Sequence, residues 1–490
     1  MSKESSHKQI LKATGIIGGS QVISVLIGIV RTKIVAVLLG PAGVGIIGVY
    51  QSMLDIVRTV SSLGIQYSAI RDVAEAYGTG DDERIGRTFA VLHRWVLITG
   101  FLGMGATLAL AVPLSRQAFG DDKHVTGMAI LSVTLLLSSI SGGQNAVMNG
   151  FRQIGSMSKA SIFGVLTGFC ISVPLYFLYG TDGIVPAMVL NAVGALVVSW
   201  WFSHKIKIRK VVISWKETFS EGYGMIRLGL FGVFSGFITT AIMYYVRVFI
   251  IQKSGMEAAG QFQSAWSISS VYLGMVLNAM WADFFPRLSE VNKDNEVVNR
   301  LLNEQTEVVL LMASPLIIGM ITYMPVLIAL FYTHKFTSSI QILQWQLMGD
   351  FLRILIWPIS FVILAKAKGV LYVISESLWY ILYYALLYFS WDHIGLQSLG
   401  MSFFLAYVML ISIMLVIAHS VSGYRWSRRN LIYVLSYFSL VVLAFLNARY
   451  VPQLMSYGTG AVLVMLSAVL SYYGLKQVID IKALFRKFIR

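Results

Sequence analysis

The sequence predicts an all-α polytopic membrane protein of about 14 transmembrane helices. Composition, the length of the apolar runs and an internal repeat lead to this class. Of 490 residues, 57% are apolar and 12% are charged, whereas soluble chains carry about 25% charged residues. Apolar runs of about 20 residues, the length that crosses a bilayer core, recur along the chain. These features exclude an ordinary soluble domain.

Short loops separate the predicted helices, whose ends carry an uncertainty of about 2–4 residues. The helices are placed at 10–39, 44–70, 89–112, 125–150, 158–179, 183–203, 223–252, 259–285, 303–331, 338–365, 369–390, 395–419, 430–448 and 454–475. The first run contains Arg31 and Lys33 and is too long for a signal peptide, so we expect it to be retained. Cys170, the one cysteine, lies within the fifth helix and is expected to be buried.

The distribution of Lys and Arg predicts the orientation. With the N-terminus inside, cytoplasmic segments hold 26 of the 38 basic residues and outer loops hold five. Both termini are therefore expected on the cytoplasmic side of the membrane. The net charge of +15 is explained by this asymmetry and not by nucleic-acid binding. The basic, amphipathic tail at 477–490 is typical of a helix on anionic phospholipids; a plain positive-inside anchor is the alternative.

A repeat predicts two related halves. Gly236, Thr240, Tyr244 and Arg247 follow Ser20, Ser24, Gly28 and Arg31 at a displacement of 216 positions. The segment 260–264 similarly follows 48–52 at a displacement of 212. Two six-helix lobes would enter the membrane from the same side, so the axis that relates them runs along the membrane normal. Two such lobes that meet at a central cavity form a transporter architecture.

The repeat also divides the chain. An N-terminal lobe covers 1–203, a cytoplasmic linker 204–222, and a C-terminal lobe 223–420. Helices 13 and 14, at 421–476, have no partner in the repeat, and the tail follows them.

Ionisable residues at membrane depth are candidate functional residues. Arg31 and Arg247 each share a helix face with small or polar residues, and we expect both to point into the protein. Two guanidiniums at one cavity would bind phosphate oxygens. Bonding to backbone carbonyls or a carboxylate, with no ligand, is the structural alternative. Lys33 lies about 200° around its helix from Arg31, where it could extend to the headgroups.

Two further pairs and one lone carboxylate complete the candidate site. Asp55 and Arg58 are three residues apart, as are Asp350 and Arg353, so each pair shares a helix face. Ion pairing alone could explain both, or a substrate anion or proton could compete for one partner. Glu376 has no local partner and is a candidate coupling carboxylate.

Missing motifs argue against an enzyme. The sequence has no phosphate-binding G-x-x-x-x-G-K-[ST] loop, no H-E-x-x-H and no Cys/His metal spacing. We therefore expect no catalytic residue, metal or cofactor, and energy drawn from an ion gradient, the membrane potential or the substrate's own gradient.

The first helix and its following turn carry a family resemblance. The stretch RTKIVAVLLGPAGVG at 31–45, continuing through Tyr50-Gln51 to the Ser-Leu-Gly at 62–64, resembles the opening of Wzx-type O-antigen and enterobacterial common antigen translocases. These belong to the multidrug/oligosaccharidyl-lipid/polysaccharide flippase superfamily. The resemblance is strongest over 10–75 and extends, through topology and the repeat, to about residue 420.

The resemblance implies a two-lobed fold with a cationic cavity and an undecaprenyl-pyrophosphate-linked oligosaccharide as cargo, moved outward by alternating access. Other polysaccharide-assembly proteins are further expected partners. The motif's basic residue falls at Lys33, which favours a cavity position for it. Fourteen helices are more typical of lipid II flippases, which stay an alternative. A multidrug or cation antiporter of the same superfamily and a non-transporting envelope-assembly scaffold are the others.

Overall fold

A computed structural model describes residues 3–478, and its regular structure is helical throughout. The α-helices are α1 Lys3–Ser61, α2 Ile65–Thr79, α3 Asp82–Phe119, α4 Val125–Gly150, α5 Ile154–Tyr179, α6 Ile184–Ser203, α7 Trp215–Glu290, α8 Asn295–Thr322, α9 Met324–Phe331, α10 Ser338–Ala365, α11 Gly369–Ile394, α12 Ser398–Ser422, α13 Arg428–Tyr450 and α14 Gln453–Val478. The predicted all-α class is confirmed. Residues 479–490, most of the predicted basic tail, lie outside the described residues.

Ten continuous stretches within 3–478 are long and apolar enough to cross a membrane. Four of them, at 19–61, 154–203, 232–271 and 369–422, each combine two of the predicted helices. The described part of the chain thus contains the fourteen predicted spans. Hydropathy did not predict the two shorter helices, α2 and α9, as separate elements.

Glycine explains where predicted helices join. In α1, Gly40 has φ 63° and ψ −171° and links the first two predicted helices without a loop. In α7, Gly255 has φ 79° and ψ −178° and links predicted helices seven and eight. Only glycine adopts this region readily. Pro41 follows Gly40 and starts the next segment, where a missing N–H costs little.

Two predicted boundaries were wrong for local reasons. The second predicted helix was extended to residue 70, but α1 ends at Ser61 and α2 begins at Ile65, because Leu63 and Gly64 are left-handed. The ninth predicted helix, 303–331, is broken where α8 ends at Thr322 and α9 starts with a proline in its first turn.

Cys170 was expected to be buried, but it is exposed on α5. Gly168 and Ser172 face the interior, since Arg31 lies against both. Position 170 is about 200° around the helix from 168, so its thiol points to the opposite side.

The chain divides into two compact units, residues 1–260 and 261–490. The first part of α7 belongs to the first unit, where Tyr244 and Val248 join Tyr50 and Met53 in a buried core. The linker is also fastened within this unit: Arg87 on α3 donates to Glu217 at 2.9 Å and to Glu221 at 2.8 Å. The repeat assigns the lobe boundary to 204–222, and that assignment stays a prediction.

In the second unit, α10 is buried along most of its length and packs against α8, α11 and α12. Trp379 and Tyr383 of α11 form an aromatic cluster with Phe403 and Tyr407 of α12. Helices α13 and α14 pack on α8 of the same unit. The two helices outside the repeat therefore extend the second unit.

Candidate functional site

Arg31 of α1 lies against α5 and close to α6. One of its guanidinium nitrogens donates to Ser172 Oγ at 2.8 Å, and Asn191 Nδ2 donates to the same oxygen at 2.9 Å. A Cβ at Gly168 would lie 3.3 Å from Arg31, so the glycine makes room for the guanidinium. Ser24, two turns earlier on the same face of α1, approaches Ser161 of α5 at 3.4 Å. The small and polar face of α1 thus packs on α5.

Arg247 is buried, with 9% of its surface exposed. It donates to the Met243 carbonyl at 3.1 Å, one turn earlier in α7. Its charge also acts on the Asp55 carboxylate of α1, as does that of Arg58. Arg31 and Arg247 therefore have different protein partners. Lys33 is half-buried on α1.

Arg58 lines a polar cavity of about 610 Å³ in the first unit. The other polar residues of its lining come from α4, α5 and α6: Ser138, Ser141, Asn145, Asn149, Ser161 and Ser199. Among the described lining residues no carboxylate is present. One cation surrounded by hydroxyl and amide groups can bind a phosphate while hydrogen-bonding sugar hydroxyls.

Asp350 and Arg353 lie in a buried ionic cluster of the second unit. Asp350 is 1% exposed, accepts a short hydrogen bond from Ser269 Oγ, and has its other oxygen 3.7 Å from Arg353. That other oxygen, Oδ1, accepts no hydrogen bond among the described residues. Glu376 of α11 lies near Ser360 of α10, and the charges of Glu376 and Arg353 act on each other. Three of the predicted site residues therefore share one environment.

The backbone repeats more regularly than the sequence. Helix α5 at 154–179 is followed by α11 at 369–394, a displacement of 215 positions at both ends. Arg152 and Ala367, each with positive φ, share this displacement, as do Gly180 and Gly395, both with φ 54°. Helices α4 and α10 also end 215 positions apart. The displacement therefore pairs positions in the two units.

This pairing relates the polar cavity to the ionic cluster. Ser138 corresponds to Arg353, Asn145 to Ser360, and Ser161 to Glu376. Small polar residues thus line the cavity of the first unit at positions where the second unit carries its charges. Corresponding positions of the repeated fold therefore line an open cavity in the first unit and carry an ionic cluster in the second.

Sequence reasoning found Arg58 but missed the polar face of α4. Ser138, Ser141, Asn145 and Asn149 are spaced by three, four and four residues, which places them on one side of a helix. That spacing within an apolar run was a readable signal. It was overlooked because none of these residues is charged.

A scan of family models supplies the deciding observation. Residues 34–341, more than half of the chain, match the model described as polysaccharide biosynthesis protein. The chain belongs to this family.

Curated relatives and solved structures extend the comparison. The lipid III flippase of Escherichia coli K12 is 23% identical over 380 residues, covering 75% of this chain and 88% of the relative. A putative O-antigen transporter of Shigella flexneri is 23% identical over 395 residues, covering 78% and 90%. A structure of the lipid II flippase MurJ in an inward closed conformation aligns with a TM-score of 0.68 at 13% identity, covering 98% of this chain and all of that one.

An inward-facing multidrug MATE transporter aligns with a TM-score of 0.67 at 16% identity, covering 82% of this chain and 96% of that one. At these identities the structural likenesses show the fold alone. The member of the polysaccharide biosynthesis family described here therefore has the fold of the superfamily that the resemblance implied.

Proposed function

We propose that this protein is a flippase that moves an undecaprenyl-pyrophosphate-linked oligosaccharide from the cytoplasmic to the periplasmic leaflet. The observation that carries the proposal is the family match over residues 34–341. Relatives named as a lipid III flippase and an O-antigen transporter agree with it. Transport by alternating access in the bacterial inner membrane, with both termini cytoplasmic, is part of the proposal.

Arg58 and the polar cavity form the first part of the proposed cargo site. A guanidinium can bind pyrophosphate oxygens bidentately, and the serine and asparagine side chains can hydrogen-bond to sugar hydroxyls. Arg31, Arg247, Lys33 and Arg353 are the further basic residues assigned to the pyrophosphate. Arg31 and Arg247 already bond to Ser172 and Met243, so cargo contact would require these bonds to be shared or exchanged.

Asp350, Glu376 and Asp55 are the proposed coupling carboxylates. Asp350 carries the strongest support, because its Oδ1 atom is buried and accepts no hydrogen bond among the described residues. Arg353, 3.7 Å from this oxygen, is its cation in the structure, so a proton or another cation would have to replace Arg353 if that guanidinium turned to the cargo. A bound ion would then shift the balance between the two facing states. Anionic phospholipids and other polysaccharide-assembly proteins are proposed partners.

The test uses purified full-length protein in liposomes with a fluorescent undecaprenyl-pyrophosphate oligosaccharide. We expect wild-type protein to move the lipid and Arg58→Ala to lose at least about tenfold in rate, since a hydrogen bond to a charged group contributes about 1.5–3 kcal/mol. Arg116→Ala is the matched control, because Arg116, in the last turn of α3, is exposed and pairs with the exposed Asp122. Arg31→Ala with Arg247→Ala tests the predicted arginine pair.

Each outcome separates the candidates. Equal rates for Arg58→Ala and Arg116→Ala would keep the flippase and remove Arg58 from the site. Faster movement of lipid II than of other lipid-linked oligosaccharides would favour a lipid II flippase. Export of cationic dyes with no lipid movement would favour a multidrug antiporter, and no transport of any kind would favour a scaffold.

A further inference from the structure

A second cavity, of about 630 Å³, lies elsewhere in the first unit. It is enclosed by α3, α4, the end of α6 and the linker that joins α6 to α7. Its walls are mostly apolar, with Phe89, Leu92, Val96, Ile140, Val147 and Ile206 among the lining residues. It shares no lining residue with the polar cavity at Arg58.

Cations concentrate in the lining of this apolar cavity. Arg94, Arg209 and Lys210 contribute to it, together with two histidines, and no carboxylate does so among the described lining residues. Arg94 donates to the Thr218 hydroxyl at 2.8 Å and to the Ile213 carbonyl at 2.7 Å, and lies over the ring of Trp215. These three partners are uncharged, so none of them neutralises the positive charge of Arg94.

The cavity walls are held in place on the linker side. A Cβ at Gly86 would clash with the Arg209 carbonyl oxygen, so α3 and the linker are in close backbone contact there. Trp95 donates to the Thr218 carbonyl at 3.0 Å. At the start of α7, Ser214 N donates to Glu217 and Glu217 N donates to Ser214, which forms a capping box. The cavity is therefore a built feature of the fold.

Exposed tryptophans mark the depth of this cavity in the membrane. Trp200, Trp201 and Trp215 are 52%, 56% and 60% exposed, beside the basic residues of the linker. Tryptophan collects at the headgroup level of a bilayer, next to Lys and Arg. The cations thus lie at headgroup depth, while the apolar walls formed by α3 and α4 extend towards the acyl chains.

We propose that this cavity is a binding site for an anionic glycerophospholipid, with its phosphate on Arg209 and Lys210 and one acyl chain along the apolar walls. Charge complementarity and the apolar lining together select an anionic amphiphile, since basic pockets between membrane helices bind such headgroups. The bound lipid braces the linker against α3. This site is independent of the cargo and holds whichever lipid-linked sugar the protein moves.

The experiment measures binding of phosphatidylglycerol and phosphatidylcholine to delipidated full-length protein in detergent. Wild-type protein is expected to prefer phosphatidylglycerol, and Arg209→Ala with Lys210→Ala to bind it about 30-fold more weakly, at about 1 kcal/mol for each cation near the surface. The matched control is Lys205→Ala with Lys207→Ala, which removes the same charge from the same linker at positions that do not line the cavity.

A second measurement locates the acyl chain of the bound lipid. Phosphatidylglycerol with brominated acyl chains should quench the fluorescence of Trp200, which lines the cavity, so quenching should fall in Trp200→Phe and in the Arg209/Lys210 variant. Equal loss in the Lys205/Lys207 control would overturn the site, because it would indicate diffuse charge attraction. Equal affinity for phosphatidylcholine and phosphatidylglycerol would also overturn the site. Tighter binding of undecaprenyl phosphate would replace the phospholipid by the carrier lipid and overturn the assignment.

Discussion

At the scale of single residues, the candidate charges differ in how far the protein already satisfies them. Arg31 bonds to Ser172, and Arg247 to the Met243 carbonyl, whereas one oxygen of Asp350 accepts no hydrogen bond within the described residues. Desolvating a charge is expensive unless it is paired, so the pair of Asp350 and Arg353 is where a substitution should have the largest effect. Arg353 keeps 36% of its side chain exposed, which leaves room for a ligand to approach.

Arg353→Ala should destabilise the protein by roughly 3 kcal/mol, because it leaves Asp350 as an uncompensated buried charge. Adding Asp350→Asn should recover most of that loss, since the amide oxygen can still accept from Ser269. Thermal unfolding of the single and double variants in detergent measures the coupling. Additive losses in the double variant would contradict the pairing.

At the scale of elements, two single glycines decide how the long helices bend. Gly40 and Gly255 occupy nearly the same backbone conformation, 215 positions apart, in helices that otherwise run without a loop. Hydropathy predicted a loop at each place, because an apolar run of membrane length must be followed by a turn. In place of a loop there is one glycine, because its positive φ kinks the helix without a Cβ clash.

Gly40→Ala should destabilise the protein by about 1–3 kcal/mol, the cost of forcing a side chain into this backbone region. Gly28→Ala, in the same α1, is the matched control: it is helical, and a Cβ there would meet nothing within 4 Å. The control should be neutral or stabilising by up to about 1 kcal/mol. Both are measured as shifts in the thermal unfolding midpoint. Similar shifts for both variants would refute the argument.

At the scale of the whole molecule, two units of one repeated fold have diverged at corresponding positions. Ser138 and Ser161 line an open polar cavity in the first unit, whereas their counterparts Arg353 and Glu376 belong to an ionic cluster in the second. A repeat that keeps its backbone and changes its side chains can place different chemistry at corresponding positions of its two halves. The likeness to MurJ over 98% of the chain shows that the whole fold, including α13 and α14, is shared.

Ser138→Arg with Ser161→Glu transfers the charged pair into the first unit. We expect the variant to fold, because the same pair is accommodated at the corresponding positions of the second unit, and to lose most transport of the lipid-linked oligosaccharide by filling the cavity. Ser138→Ala with Ser161→Ala keeps the cavity open and removes only two hydroxyl groups, so it should lower transport much less than the charged variant does. The liposome assay, with unfolding as a folding check, measures both. Wild-type transport by the charged variant would exclude this cavity from the cargo path.

The sequence by itself determined the membrane class, the fourteen spans, the repeat and the family resemblance. These properties depend on the local sequence, since a bilayer selects apolar runs of sufficient length and a repeat preserves the order of residues. Only the tertiary structure decided the neighbours of each charge. Arg58 lines the same cavity as Ser138 of α4, and Glu376 lies near Ser360 of α10, through packing of distant segments. Helical periodicity gives the face of a side chain, but the helix that covers that face depends on the fold.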